Sequence, residues 1–495
     1  MPMVKVFIEG HHYEYELKEL LKLFYKQEDI EFLTNQPDIT MLENTNDDII
    51  INKLVLNRNI IKVISEGRID GEKAKVEKQA FFDKNPFENT KKKKQLMKTS
   101  IFQLLKRSKV VSLPWGILTG IRPTKIVHEL RGRGLDSIEI ITILTEEYFI
   151  EKEKALLLVE VAATEHKYLY PINEDKISIY ISIPFCPTRC SYCSFPSNPF
   201  KRYQDSIDTY IEALCKEIVA SAELLNKTKK KIETIYIGGG TPTTLNLEQL
   251  SKLIKTIFIN FNLSELKEFT VEAGRPDTID IAKLVLLKKN GVTRISINPQ
   301  TMNDQTLIEI GRNHTTAETI EAYKIAKDVG FYSINMDIII GLPGENVDMV
   351  LNTMEHITKL APNNLTVHTL AIKNASELKE QQYKNNNGSR DIHEMLKVTE
   401  NHARKMGLIP YYMYRQKHMV GNLENIGYAK EGYECIYNIQ IMEEKQTIVA
   451  IGAGAVSKIV FPKENRLERV PNVKNLEQYI ARVDEMILRK KQHLQ

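Results

Sequence analysis

Three cysteines stand close together at Cys186, Cys190 and Cys193, in the stretch Ile-Pro-Phe-Cys-Pro-Thr-Arg-Cys-Ser-Tyr-Cys. Thiolates released by one short loop can fold around a small metal cube, and they are the usual ligands of iron–sulfur clusters. Their number matters. A closed structural zinc site takes four ligands, usually from paired hooks, whereas the two remaining cysteines, Cys215 and Cys435, are distant and belong to no such hook. Three thiolates on a four-iron cube would leave one iron open to a small molecule. A zinc loop completed by a distant histidine, or a chance cluster, is the alternative.

Something must position that loop. Ile177, Ile179, Ile181 and Ile183 alternate with Ser178, Tyr180 and Ser182, the period of a strand. Pro184 and Pro187 end it by removing ladder donors. The pattern predicts six strands, at 177–184, 233–237, 268–272, 293–297, 334–340 and 364–370, separated by helices such as 206–225 and 317–329. Alternating strands and helices imply a parallel sheet, curved into a full or partial barrel. Sites in such barrels lie at the C-terminal ends of the strands.

Those ends carry the residues able to bind. Gly238-Gly239-Gly240-Thr241-Pro242 allows close backbone approach and presents N–H groups to an anion, although a plain glycine turn reads the same way. Glu272 can accept from hydroxyls or an amine, Gln300 offers both donor and acceptor, and Arg312 can fork onto a carboxylate. Asp337 lies on an apolar strand, where burial demands a partner. From Pro410 to Lys458 tyrosines crowd together (Tyr411, Tyr412, Tyr414, Tyr428, Tyr433, Tyr437) among Arg415, Lys417, His418 and Asn422. They read either as a wall for a large flat ligand bearing carboxylates or as a tyrosine-rich extension of the sheet. Gly452-Ala453-Gly454-Ala455 is a tight turn of small residues.

The rest of the chain sets bounds. A length of 495 residues suggests two or three domains. Residues 1–105 read as an N-terminal α+β domain with strands at 4–8 and 49–56 and a helical face at Leu17, Leu20, Leu21 and Phe24. A helical connector is expected over 106–172, the barrel over 173–375 and a C-terminal extension over 376–495. Lys91-Lys92-Lys93-Lys94 reads as a solvated helix start or linker ahead of a phosphate contact. Pro114-Trp115-Gly116, with the only tryptophan, specifies a shaped turn. Net charge is +4 from 68 basic and 64 acidic residues, which gives no case for nucleic acid. No apolar run reaches the length of a membrane span. No secretory leader is evident, and the cysteines form no disulfide framework, so a reducing compartment, the cytoplasm, is expected.

Cys-x3-Cys-x2-Cys with an aromatic, Tyr192, before its last cysteine is similar to the signature of radical S-adenosylmethionine (SAM) enzymes. Three stretches are then read together: Tyr-x-Ser-Ile-Pro-Phe-Cys-Pro-x-x-Cys-x-Tyr-Cys from Tyr180, Gly-Gly-Gly-Thr-Pro-Thr from Gly238, and Asp-x-Ile-x-Gly-Leu-Pro-Gly from Asp337. They resemble the oxygen-independent coproporphyrinogen III dehydrogenase family. The closer likeness is to its HemZ-type branch, through Pro-Trp-Gly-x-Leu-Thr-Gly-x-Arg-Pro upstream and Tyr-Tyr-Met-Tyr-Arg-Gln-Lys, Gly-Asn-Leu-Glu-Asn and Tyr-Asn-Ile-Gln downstream.

The resemblance implies an α/β fold, a partial parallel (β/α)6 barrel of radical SAM type. It implies a [4Fe–4S] cluster on Cys186, Cys190 and Cys193, and SAM sites lined by Tyr180, Tyr192, Gly239, Gly240, Thr241, Glu272, Gln300, Arg312, Asp337 and Ala371. The implied reaction is hydrogen abstraction from a propionate of coproporphyrinogen III by a 5′-deoxyadenosyl radical. Loss of CO2 and an electron leaves a vinyl group, and two such turnovers give protoporphyrinogen IX. The implied partners are the tetrapyrrole and a flavodoxin- or ferredoxin-like electron donor. The chain departs from the dehydrogenase in carrying Ser182 where that enzyme has histidine, Phe195 in place of a fourth cysteine, and a different C-terminus. Heme chaperones of the same family also lack the fourth cysteine, so heme carriage, with His368, His418 or Cys435 as candidate ligands, is the alternative. A radical SAM enzyme that modifies or degrades heme is a third.

Overall fold

The computed structural model describes residues 3–35, 46–120, 122–195, 197–373, 376–381, 383, 388–416, 419–464 and 466–494. The chain forms two compact units, Met1–Val159 and Glu160–Gln495, which divide within the helix Lys152–Leu169.

The first unit is built on strands β1 (Val4–Glu9), β2 (Ile30–Leu33), β3 (Asp48–Asn57), β4 (Ile60–Ile69) and β5 (Glu72–Phe81), in the order β2-β1-β3-β4-β5. β1 is parallel to β2 and β3, while β3, β4 and β5 form an antiparallel meander. Asp70 and Gly71 both adopt positive φ, the conformation that turns β4 tightly into β5. Val6, Leu20, Ile50, Ile61, Ile101 and Leu105 join in one core, so the helices Glu14–Leu21 and Pro86–Lys106 cover the sheet. The lysine run lies inside the second of these helices. Lys91 pairs with Glu129, Lys92 with Asp83 and Lys94 with Glu16, as on a solvated helix face. The stretch after Ile101, expected to be helical, is interrupted by a turn before the helix Thr124–Gly132. There Trp115 is fully buried, and Ile117 N–H donates to Tyr148 O at 3.0 Å. Gly116 has φ +50°, and a Cβ on it would stand 2.1 Å from Tyr148 O.

The second unit carries the six predicted strands as β6 (Lys176–Ile183), β9 (Lys231–Gly239), β10 (Glu268–Glu272), β11 (Arg294–Gln300), β12 (Ser333–Ile340) and β13 (Asn364–Thr369). Two short strands, β7 (Phe185–Cys186) and β8 (Asn198–Pro199), pair with each other outside that sheet. Helices follow the strands, opened by side-chain caps such as Asn246, Asp280, Thr315 and Asn346.

The sheet is larger than expected. β14 (Ile409–Tyr414) and β15 (Asn425–Ala429) extend it antiparallel from β13. At the other edge β16 (Thr447–Ile451) runs parallel to β6 and is followed by β17 (Val456–Phe461) and β18 (Arg466–Pro471). The parallel set therefore has a seventh strand, drawn from the segment read as extension. The fold is an open partial barrel with one face of the sheet turned inward.

A buried polar knot holds the chain's last helices. Glu217 accepts from Lys490 Nζ at 2.5 Å, Asn472 Nδ2 at 2.8 Å, Gly452 N–H at 2.8 Å and Tyr479 O–H at 2.6 Å. Four donors on one fully buried carboxylate are what such burial demands. The knot fixes the Gly452 turn beside β6, where Ser182 Oγ donates to Ala453 O and Tyr210 O–H donates to Ser182 O.

Candidate cluster and cofactor site

β6 delivers the cysteine loop. Asn198 closes it by donating through both its backbone N–H and Nδ2 to Pro184 O, and Cys193 N–H turns back to Cys190 O at 3.0 Å. The loop is fastened to the turn that follows the short helix Asp304–Glu309. Thr188 Oγ1 donates to Gly311 O, and Ser191 N–H donates to Ile310 O. Arg275, buried after β10, donates to Thr188 Oγ1 at 3.1 Å and reaches Cys190 Sγ at 3.8 Å while forking onto Asp277. All three thiols are free, and each of Cys186 and Cys193 feels the charge of its neighbours in the loop. Burial pushes the Cys186 thiol up to about 11. A bound metal would hold it as the thiolate.

The glycine turn lies against this loop. Gly240 N–H and Thr241 N–H donate to Ile183 O and Phe185 O, and Thr241 Oγ1 points at Cys186 Sγ, 3.7 Å away. Gly239 has φ +107°, and a Cβ on Gly240 would stand 2.5 Å from Phe185 O, so this close approach requires glycine. Glu272 accepts from Gly239 N–H at 3.2 Å and from Tyr236 O–H at 2.6 Å. Burial, with Asp337 nearby, pushes the Glu272 carboxyl up to about 7.

A polar belt crosses the inner face. Tyr180, Tyr236, Glu272, Asn298, Asp337 and His368 each come from a different strand, β6 to β13, and each is half-buried between buried neighbours. They are linked. Tyr180 stacks on Tyr236 and both stack on Tyr437. Asn335 Nδ2 donates to Asp337 at 2.7 Å, and His368 faces Asp337 at 3.8 Å and Tyr414 O–H at 3.3 Å. Burial would raise the Asp337 carboxyl, but His368, Asn335 and Thr366 together hold it below the ordinary aspartate value.

Two expected contacts are left with open valences. Gln300 is held at φ +69° with its buried Oε1 lacking a partner, and Arg312 is buried with Nε lacking one while its Nη atoms donate to Asn298, Pro299 and Gly274 carbonyls. Backbone strain and unsatisfied buried polar atoms are tolerated where a ligand completes them. Three free thiols on one short loop, a glycine cradle and these orphaned atoms fit a cluster and a polar co-ligand.

The structure thus joins Thr241 to Cys186, Gly239 to Glu272 and Cys193 to Cys190, with Gln300 on β11, Asp337 on β12 and Arg312 in the turn after the helix Asp304–Glu309. Tyr192 packs in an apolar cluster with Leu307, Ile339 and Leu370. Ala371 forms an isolated bridge to Met419. Three of the expected wall tyrosines, Tyr411, Tyr412 and Tyr428, are buried on β14 and β15, which favours the extension reading for them, while Tyr437 is buried on the helix Ile436–Glu443 and stacks on the belt tyrosines. Cys435 is buried and donates to Glu268 at 3.2 Å. Lys417 and His418 lie outside the described residues. Arg275 and Tyr236 were not singled out from sequence. Arg275 sits in the Glu-Ala-Gly-Arg-Pro stretch that follows Glu272, the one local signal that pointed to it.

Residues 180–357 match the radical SAM superfamily. The oxygen-independent coproporphyrinogen-III oxidase-like protein HemZ of Bacillus subtilis is 37% identical over 97% of this chain and 96% of its own length. The heme chaperone HemW of the same organism is 32% identical over 56% of this chain and 70% of that protein. Among solved structures, coproporphyrinogen III oxidase (HemN) of Escherichia coli, a radical SAM enzyme, superimposes with TM-score 0.52 at 24% identity over 66% of this chain and 73% of that one, a likeness of fold. The radical SAM family uses a [4Fe–4S] cluster and SAM, the two groups the site fits. The chain belongs to the radical SAM family of oxygen-independent coproporphyrinogen-III oxidase-like proteins, in its HemZ branch.

Proposed function

We propose that this protein oxidatively decarboxylates propionate side chains of coproporphyrinogen III to vinyl groups without oxygen, with Cys186, Cys190 and Cys193 holding the cluster. The observation that carries the reading is the belt of half-buried polar side chains from Tyr180 to His368, on the sheet whose strand β6 delivers the cysteine loop. When bound, the cluster and SAM supply the radical that takes a hydrogen from the substrate. The chain's own residues then have definite tasks. Gly239 and Gly240 let backbone come close, and Glu272 accepts from the hydroxyls or amine of SAM. Gln300 Oε1 and Arg312 Nε complete their bonds on it, and Tyr180 and Tyr236 offer a flat apolar surface with polar tips. Asp337 and His368 form the polar pair nearest Tyr414. The electron donor would be a small carrier protein. No described helix is long and apolar enough to cross a membrane, and we place the reaction in the cytoplasm.

Heme carriage is the second reading, favoured by Ser182 and Phe195 at the positions where the dehydrogenase has histidine and a fourth cysteine. His368, half-buried on the belt, is then the candidate ligand, while Cys435 is engaged with Glu268. Anaerobic incubation of the reconstituted protein with coproporphyrinogen and with heme, side by side, separates the readings by mass spectrometry. Vinyl products support decarboxylation. Stoichiometric heme uptake without turnover supports carriage, and ring-opened products indicate heme degradation.

A further inference from the structure

The sheet of the first unit ends in an open edge. β5 pairs with β4 over its whole length, and no strand of the described residues pairs on its other side. Phe82 N–H donates to Asn59 O just beyond the ladder, so the even-numbered residues of β5 exchange their bonds with β4. In an antiparallel pair the alternate residues turn their N–H and C=O groups away, which aims those of Lys75, Glu77 and Gln79 outward. The side chains divide in the same way. Ala74 and Val76 join the core covered by the helix Pro86–Lys106, whereas Lys75, Glu77, Gln79 and Phe81 are exposed. Phe81 keeps 73% of its surface in solvent.

An open edge is a template for another strand, and lysines along it normally discourage pairing. Here the charges exclude other strands but match their own copy. Let a second β5 run antiparallel to the first, with a two-fold axis at Val76. Lys75 then stands directly opposite the partner's Glu77, and Glu77 opposite the partner's Lys75. Moving the axis by one residue, to Lys75 or to Glu77, sets a charge against its own kind. Opposite charges across a strand pair stabilise it and like charges do the reverse, so charge selects one register. In that register Phe81 falls opposite the partner's Gly71, where a Cβ would meet nothing within 4 Å of its own chain. Glu77 already holds Lys62 at 2.7 Å and Lys75 at 3.1 Å, so the contact continues a ladder of alternating charge from one sheet into the next. We propose that β5 is a self-complementary edge through which two copies of this chain form a two-fold dimer with one continuous sheet. This dimer involves the first unit alone and does not require the cluster.

The test is the mass of the full chain in solution, by sedimentation velocity over roughly a hundredfold range of concentration. Wild type is expected to move from 57.0 kDa toward twice that mass as concentration rises. Glu77→Lys leaves Lys75 facing a like charge, and Lys75→Glu leaves Glu77 facing one. Each variant alone is expected to associate at least about tenfold more weakly. An equimolar mixture of the two single variants restores opposite charges at both positions and should dimerise like wild type. Both side chains are exposed, so circular dichroism should show each variant folded. A wild type that stays at 57.0 kDa at every concentration overturns the proposal. So does a dimer that the single variants keep, or a mixture that stays monomeric where wild type does not.

Discussion

Glu272 should cost the empty protein stability, and replacing it should show how much. Its carboxyl is pushed from an ordinary 4.5 up to about 7, first by burial and then by the charge of Asp337, against the bonds from Tyr236 and Gly239. A raised carboxylate is unfavourable to the fold once ionised. Below pH 4.5 the group is protonated in both states and contributes nothing. Between 4.5 and 7 the unfolded chain ionises first, so folded stability falls as pH rises, and above 7 the penalty is constant. At about 1.4 kcal/mol for each tenfold change in proton affinity, the penalty reaches about 3 kcal/mol. Glu272→Gln keeps the size and an acceptor but removes the charge. The apo variant should therefore unfold later than wild type at pH 8, by about 3 kcal/mol or about 4 °C in a unit of this size, and match it at pH 4.5. Taking the difference between the two proteins cancels other buried acids, such as Glu165 and Glu345, whose carboxyls are also raised. Near-ultraviolet circular dichroism in the tyrosine band reports on the second unit through the Tyr180–Tyr236–Tyr437 stack. Fluorescence of Trp115 reports on the first unit and should not change. The same variant should bind SAM more weakly. A variant that is no more stable at pH 8, or one that gains equally at both pH values, refutes the reasoning.

Three other substitutions probe the supports of the site. Gly240→Ala places a Cβ 2.5 Å from Phe185 O and should lower iron retained per chain, whereas Gly132→Ala, with nothing within 4 Å, should leave it unchanged by iron assay. Lys490→Met strips the buried Glu217 of its cation at a cost of about 3–5 kcal/mol. Hydrogen exchange should then show loss of protection in Val483–His493 and in the Gly452 turn. Arg275→Gln removes the N–H donor aimed at Cys190 Sγ, so the cluster's midpoint potential, read by redox titration, should fall.

Much of this architecture is legible in the sequence because period-two alternation and clustered cysteines are local signals. Strands β6 and β9 to β13 follow from them, as does the loop that ends β6. Asp70-Gly71 is a turn signal, but the strand after it, Glu72–Phe81, is so rich in lysine and glutamate that its alternation carries little apolar contrast. β16 escaped because its partner, β6, lies far upstream and its four apolar residues, Ile448 to Ile451, sit in a segment dominated by tyrosines. Whether those tyrosines line a cavity or fill a core depends on burial, which composition does not encode. Arg275 acquires its meaning only when folding brings it to Cys190.

The central claim is that three thiolates hold a cluster that, once reduced, opens SAM for work on a tetrapyrrole. It is tested most directly by counting 5′-deoxyadenosine against vinyl product in the anaerobically reconstituted protein given SAM, reductant and coproporphyrinogen. Two molecules of 5′-deoxyadenosine per protoporphyrinogen IX, lost together in Cys186→Ala, is the predicted result. A protein with no cluster absorbance and no SAM cleavage after reduction, or one that cleaves SAM yet leaves every propionate intact, contradicts it.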